Sequence, residues 1–201
     1  MIDTLNTLVR RVPAWLIYIA GAAYAAWLFY LGLTGGLGVE PINALERAYG
    51  EIGLQLMVLG LAITPLRKHL GVNLLKFRRA IGVTTFFFIL AHFLVWAVLD
   101  VQSLERIWAD IVKRPYVTVG MLGFVLMIPL ALTSNNLSLR KMGAGAWRKL
   151  HKLTYPIAIF GAAHYLWLVK GFQLEPIIYF GVIVGLLAAR VSWARRARVA
   201  A

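Results

Sequence analysis

The stretch that decides the fold is WRKLHKLTYPIAIFGAAHYLW (147–167), because it places His151 and His164 within one largely apolar segment. An ionisable side chain inside a membrane span costs on the order of 2 to 3 kcal/mol or more, so a span seldom carries one without a partner. A second apolar run, TFFFILAHFLVWAVL (85–99), carries His92. Imidazole is the commonest protein ligand for metals, and imidazoles on facing helices can hold haem iron from both sides. The sequence therefore predicts a haem-binding membrane protein.

The composition indicates an integral membrane protein with little room for a separate soluble domain. Of the 201 residues, 61% are hydrophobic and only 14% are charged, whereas a soluble domain carries about 25% charged residues. The chain has no cysteine, which excludes thiolate-bound iron–sulfur clusters, covalently attached haem and disulfides. No glycine fingerprint for a dinucleotide follows a strand-like segment. Histidine is left as the strong nitrogen ligand.

Six apolar runs are long enough to cross about 30 Å of hydrocarbon, which takes about 20 helical residues each. These spans lie roughly at 13–33, 50–66, 80–99, 116–133, 154–170 and 175–194. Pro41 is a good helix start, so the second helix is expected to begin outside the bilayer. All spans must be helical, because an open strand edge cannot be satisfied in lipid. The predicted fold is an all-α bundle of six transmembrane helices.

The charges between the spans alternate in sign and set the orientation. Sixteen of the 21 basic residues fall on one side, whereas seven of the eight acids fall on the other. The positive-inside rule then places both termini in the cytoplasm. The net charge of +13 follows from this pattern and does not indicate nucleic-acid binding.

One outer loop, 100–115, is predicted to form a helix lying on the membrane surface. Its apolar residues recur at helical spacing: Leu104, Ile107, Trp108, Ile111 and Val112. This pattern is typical of an interfacial anchor, and a docking surface for an external partner is the sharper alternative. The charged candidates for that docking surface are Glu105, Asp110, Lys113 and Arg114.

The outer candidate site is formed by His92 and His164. His92 lies eight residues before Asp100, and His164 lies six residues before Lys170. At 1.5 Å per residue, both histidines lie roughly 9–12 Å below the outer ends of parallel helices. Equal depth is what one haem between the helices requires. The alternative is that both histidines form hydrogen bonds within the bundle and bind nothing.

An inner candidate site is built on His151, about 20 Å nearer the cytoplasm than His164. The third span has no histidine at that depth but has Arg78, about 40° from the face of His92. Arg78 is an inner-haem partner, a propionate partner or a positive-inside anchor. On one continuous helix His151 and His164 would be ~220° apart, and a kink at Pro156 is expected to correct that alignment.

Several motifs resemble the ferric-reductase-like transmembrane family, whose members include the membrane part of NADPH oxidases. They are ITPLR (63–67), RRAIG (78–82) followed by His92, KRPYVTVG (113–120), ALTS (131–134) and WRKLHKLTY…HYLW (147–167). The resemblance covers nearly all of residues 1–201, as a single transmembrane domain, and is most detailed for haem-binding subunits of bacterial periplasmic methionine sulfoxide reductase systems.

The resemblance implies a function and its cofactors. His92 and His164 would be axial ligands of haem b iron, and His151 would bind at an inner site, where Arg78 replaces the fourth histidine of related oxidases. Electrons would pass from quinol or a cytoplasmic flavin reductase to a periplasmic molybdenum-dependent reductase that repairs oxidised methionines. FMN is a cofactor reported in the family. The rivals are a ferric reductase or b561-like quinol oxidoreductase with another acceptor, and a transporter that relays protons through its histidines.

Overall fold

The computed structural model describes residues 2–169 and 171–199, with side chains described up to Arg190. Within these residues the chain is helical and contains no strand, which confirms the predicted all-α class. Its α-helices are α1 (Ile2–Arg11), α2 (Trp15–Leu33), α3 (Pro41–His69), α4 (Arg78–Leu94), α5 (Leu104–Lys113), α6 (Pro115–Leu132), α7 (Asn136–Leu150), α8 (Thr154–Leu168) and α9 (Leu174–Val199). A 3₁₀ turn, Leu75–Phe77, precedes α4, and a π-helical segment, Val95–Val101, continues it.

Four helical segments of the described chain are long and apolar enough to cross a membrane: Trp15–Leu33, Pro41–His69, Leu75–Val101 and Pro115–Leu132. They correspond to the first four predicted spans. The fifth predicted span coincides with α8, which has only 15 residues and is shorter than the ~20 that a span needs. The sixth coincides with α9. The count of six spans and the cytoplasmic termini stay predictions.

The core of the bundle is built from two helix pairs, in which α4 packs against α3 and α8 packs against α6. The largest buried cluster joins both pairs and takes in one residue of α9: Leu54, Met57, Leu61, Met127, Ile157, Ala158, Ala162 and Ile183. Inside a membrane, such apolar contacts stabilise the bundle by close packing between the helices rather than by removal of side chains from water. The two pairs are thereby held side by side, with the cavity described below between them.

Helix α3 begins at Pro41, as the sequence predicts, and runs well beyond the predicted span to His69. Proline suits the first helical position because its missing N–H is not needed there. Pro65, inside the same helix, cannot donate to the carbonyl of Leu61 four residues earlier. The Arg190 guanidinium supplies the donor, since its Nη2 lies 2.6 Å from Leu61 O. A side chain of α9 thus stabilises the inner end of α3.

The predicted kink at Pro156 is wrong, because His151 and His164 do not lie on one continuous helix. Helix α7 ends at Leu150, a 3₁₀ turn covers His151–Leu153, and α8 begins at Thr154. Pro156 therefore lies in the first turn of α8, where a proline is tolerated without bending the helix. The angle of ~220° expected for an unbroken helix does not apply.

Two short amphipathic helices flank the bundle. Helix α5 confirms the helix predicted within 100–115: Ser103 caps its first turn, and its apolar residue Trp108 is 69% exposed. The place of this helix on the outer membrane surface stays a prediction. Helix α1 was not foreseen from the sequence. It is fastened to the loop after α3, since Asn6 donates to Gly71 O at 3.0 Å and accepts from Asn73 N at 2.9 Å.

Candidate functional site

The structure brings His92 of α4 and His164 of α8 together. Their ring centres lie 6.2 Å apart, and the ring planes are 77° from parallel. Metal–imidazole bonds are about 2.0 Å long, and each ring centre lies about 1.1 Å beyond its nitrogen, so two imidazoles on opposite sides of one metal ion have centres about 6 Å apart. The observed separation therefore fits a metal between the rings.

Each imidazole is anchored to the backbone of a neighbouring helix. His92 Nδ1 lies 2.8 Å from Glu46 O on α3, and His164 Nδ1 lies 2.7 Å from Tyr116 O on α6. A carbonyl oxygen can only accept, so both Nδ1 atoms carry the proton and donate it. In a neutral imidazole, Nε2 then carries the lone pair that can bind a metal. Such a partner at the far nitrogen orients a ligating histidine and raises its basicity.

Two glycines that sequence reasoning missed lie directly against these rings. A Cβ added to Gly120 would lie 2.7 Å from His164 Nδ1, and one added to Gly50 would lie 3.0 Å from His92 Nδ1. The available signal is a repeated spacing: GEIG (50–53) on α3 and GMLG (120–123) on α6. In each helix the first glycine also lies four residues after the carbonyl that accepts from the histidine.

A cavity of about 760 Å³ lies between α3, α4, α6 and α8, and both imidazoles line it. Its walls are largely apolar and aromatic, including Phe93 and Phe124, whose rings stack with centres 5.0 Å apart. Carboxylates and one guanidinium, Glu46, Arg47, Glu51 and Glu175, also line the cavity. The volume falls within the range of about 300–1,000 Å³ that is typical of cofactor sites.

The donor set favours a metal cofactor over a bare ion. Among the residues that the structure describes, no group of three or more histidine, cysteine or carboxylate side chains could hold a metal. A metal bound by two imidazoles alone would need its other ligands from elsewhere, as iron in a porphyrin has. A flat macrocycle with two axial imidazoles fits the cavity. Of the small residues before His164, Gly161 lines the cavity, whereas Ala162 is buried in the core.

Comparison with known proteins identifies the family of this chain. Residues 49–162 match the model of the "Ferric reductase like transmembrane component". The chain belongs to the ferric-reductase-like transmembrane family. The resemblance read from the sequence motifs is thereby confirmed. The matching segment contains His92 and ends two residues before His164. The second imidazole of the pair therefore lies just outside the segment that matches the family model.

Proteins from Brucella ovis, Brucella canis and Brucella melitensis resemble this ferric-reductase-like chain at 46% identity over 180 residues. The match covers 89% of this chain and 81% of each relative. Each is described as "Protein-methionine-sulfoxide reductase heme-binding subunit MsrQ". No solved structure matches.

The third predicted ligand, His151, lies apart from the other two and has polar and aromatic partners of its own. Its Nε2 is 3.2 Å from Thr133 Oγ1, and that hydroxyl donates to Pro129 O at 2.6 Å. The hydroxyl therefore accepts from an Nε2–H of His151. The ring stacks on Trp147 with centres 3.8 Å apart. Burial, followed by the positive charge of Arg78, lowers the pKa of His151. Its role as a ligand of this ferric-reductase-like protein stays a prediction.

Arg78 lies at the start of α4 and lines a second cavity of about 290 Å³ toward the inner end of the bundle. Lys68, His69, Tyr155 and Arg190 line the same cavity. Among the described residues that line this cavity, basic side chains are present and carboxylates are not. Neither this cavity nor the larger one is lined by His151. The predicted role of Arg78 toward a haem or a propionate is left open.

The candidate docking charges lie on and just after α5. Arg114 Nε lies 3.2 Å from Asp110 Oδ1, so these two charges compensate each other within the helix. Glu105 and Lys113 are exposed. Helix α5 packs against α6, the helix that also holds the carbonyl of Tyr116. Whether a partner of the ferric-reductase-like protein docks on α5 stays a prediction.

Proposed function

We propose that this protein is the haem-binding membrane subunit of a methionine sulfoxide reductase system and carries electrons through one b-type haem held by His92 and His164. The observation that carries the proposal is the pair of imidazoles 6.2 Å apart at the wall of a cavity of about 760 Å³. The family and the naming of the Brucella relatives support it. Haem iron held in this way would accept and release single electrons.

The residues of the site perform three tasks in this function. The carbonyls of Glu46 and Tyr116 hold each imidazole in the tautomer that offers Nε2. The two histidines would hold the haem iron, which would supply transfer of single electrons. The apolar part of the wall, with Phe93 and Phe124, would limit the access of water to a bound haem.

The electron path runs outward across the bacterial inner membrane in this proposal. Six spans with both termini in the cytoplasm place the cavity mouth on the outer side, as the distribution of basic residues supports. The acceptor is a periplasmic molybdenum-dependent methionine sulfoxide reductase. The donor is quinol or a cytoplasmic flavin reductase, with FMN as a cofactor of the cytoplasmic step. The basic side chains around the inner cavity support an inner step without assigning a second haem.

Absorption spectra of the purified full chain test the proposal. The wild-type protein should contain haem with the spectrum of a six-coordinate, low-spin b-type centre. His92→Ala and His164→Ala should each remove it, whereas His69→Ala, at the inner end of α3, should retain it. A wild-type protein without haem, or a full reduced-haem spectrum in either alanine variant, would show that the proposal is wrong. Reoxidation of the reduced haem by a purified periplasmic methionine sulfoxide reductase, with ferric chelates as the comparison, distinguishes the acceptors.

A further inference from the structure

We infer that Gly50 and Gly120 are positioning residues that set the orientation of the two haem-ligating imidazoles. Each glycine leaves a gap on its helix, and one imidazole fills that gap and donates to a backbone carbonyl. The inference rests on the proposed function, because it assigns the two glycines to the same histidine pair. Neither glycine touches the metal in this scheme; both act through the histidines.

The arrangement on α6 is the tighter of the two. A Cβ at Gly120 would approach His164 at 2.7 Å from Nδ1, 3.0 Å from Cε1 and 3.2 Å from Cγ. The same ring donates to Tyr116 O, one helical turn earlier on α6, at 2.7 Å. In an α-helix the side chain four residues after a carbonyl covers the side of that oxygen, so a glycine there exposes it to an outside donor. With any larger residue at position 120, the ring must move away from the carbonyl.

Helix α3 repeats this arrangement toward His92. A Cβ at Gly50 would lie 3.0 Å from Nδ1 and 3.2 Å from Cε1, and the ring donates to Glu46 O, again four residues earlier. The second glycine of each motif contacts the helix that carries the histidine: a Cβ at Gly53 would meet Ile89, and one at Gly123 would meet Phe160. The two halves of the site thus use the same spacing of carbonyl, first glycine and second glycine.

Helix propensity argues against glycine at both positions. Glycine inside a helix is less favourable than alanine by about 1 kcal/mol, so a substitution by alanine should stabilise the protein unless the site needs the gap. Two glycines that do not contact an imidazole, one on α3 and one on α4, show the effect of alanine without the gap. A Cβ at Gly60 of α3 would meet Ile81 at an ordinary 3.6 Å, and one at Gly82 of α4 would meet nothing within 4 Å.

The orientation of the rings has a spectroscopic consequence. The two ring planes are 77° from parallel, each held by its own carbonyl. Near-perpendicular axial imidazoles give a ferric haem a strongly anisotropic low-spin electron paramagnetic resonance signal, whereas parallel rings give a rhombic one. Loss of the N–H donation to the carbonyl also weakens an imidazole as an electron donor, which destabilises the ferric state and raises the reduction potential.

The test compares alanine variants of the full-length protein in detergent. Gly120→Ala should lower the affinity for haem about 10–100-fold, as loss of an orienting partner does. It should also shift the signal toward the rhombic form and raise the midpoint potential. Gly50→Ala should show the same changes to a smaller extent, because its Cβ would be 3.0 Å rather than 2.7 Å from Nδ1. Gly60→Ala and Gly82→Ala should match the wild-type protein in all three measurements.

Gly123→Ala separates ring orientation from general helix packing, since its Cβ would press on Phe160 at 3.3 Å and not on an imidazole. It should keep the strongly anisotropic signal, and a shift as large as that of Gly120→Ala would overturn the inference. If Gly120→Ala does not accumulate, Gly50→Ala decides, because it needs a movement of only a few tenths of an ångström. Loss of haem in the histidine variants with wild-type signals in both glycine variants would refute this inference alone. Retention of haem in the histidine variants would refute the proposed function.

Discussion

Replacement of Arg190 by alanine should destabilise the inner end of the bundle, because it removes the donor for a buried carbonyl. Pro65 offers no N–H to Leu61 O, and Arg190 Nη2 lies 2.6 Å from that oxygen. Leu61 is 1% exposed, so its carbonyl is shielded from bulk solvent while Arg190 is in place. The guanidinium also lies over the ring of Tyr155, 5.5 Å from its centre, and its Nη1 is 3.3 Å from the Tyr155 hydroxyl.

The expected loss combines opposing contributions. A buried carbonyl left without a donor costs about 1–3 kcal/mol, and the lost cation–π contact adds about 0.5–1 kcal/mol. Arg190 Nε, however, is buried without a hydrogen-bond partner, so its removal relieves a desolvation penalty of comparable size to one hydrogen bond. We expect Arg190→Ala to lower the free energy of unfolding by about 2 kcal/mol.

The decisive measurement is a double-mutant cycle with Pro65→Ala. An alanine at position 65 restores an N–H to the helix, which can then donate to Leu61 O in place of Arg190. Arg190→Ala should therefore cost about 1 kcal/mol less in the Pro65→Ala background. Equilibrium unfolding in mixed detergent micelles, followed by circular dichroism, gives the four free energies. If the effects of the two substitutions on the free energy of unfolding are additive within about 0.5 kcal/mol, the two residues are not coupled through the Leu61 carbonyl, and the reasoning fails.

Three further predictions follow from the topology, the outer surface and the inner histidine. Reporter fusions at residue 201 should be active in the cytoplasm and fusions at Gln102 outside; the reverse pattern would overturn the orientation. Glu105→Lys should slow reoxidation of the haem by the periplasmic reductase about two- to five-fold at low salt and less at high salt, since an exposed charge contributes about 0.5–1 kcal/mol. Equal rates for the variant and the wild-type protein would place the docking site elsewhere. Glu105 is the cleaner choice because Asp110 pairs with Arg114. With one haem held by His92 and His164, His151→Ala should leave the haem content and the His92–His164 signals intact, and loss of about half of the haem would show that His151 binds a second one.

Local composition and periodicity were sufficient for the long apolar helices and for α5, but not for α1. Uniform hydropathy predicts the spans, Pro41 predicts the start of α3, and the spacing of apolar residues predicts α5. Each of these features depends only on residues within a few turns of one helix. Depth counted along the helices also selected His92 and His164 as a pair. Depths and angles counted along one helix are wrong where that helix is interrupted, and the 3₁₀ turn His151–Leu153 is such an interruption.

Helix rotation and packing decided the rest, because they depend on contacts between residues far apart in the chain. The sequence by itself determined the all-α membrane class, the family motifs and the two histidines. Only the tertiary structure showed that the carbonyls of Glu46 and Tyr116 hold those histidines, 46 and 48 residues away, and that Gly50 and Gly120 make room for them. A helical carbonyl already accepts the N–H of the residue four positions later, so nothing in the local pattern reveals that it also accepts from an imidazole of another helix.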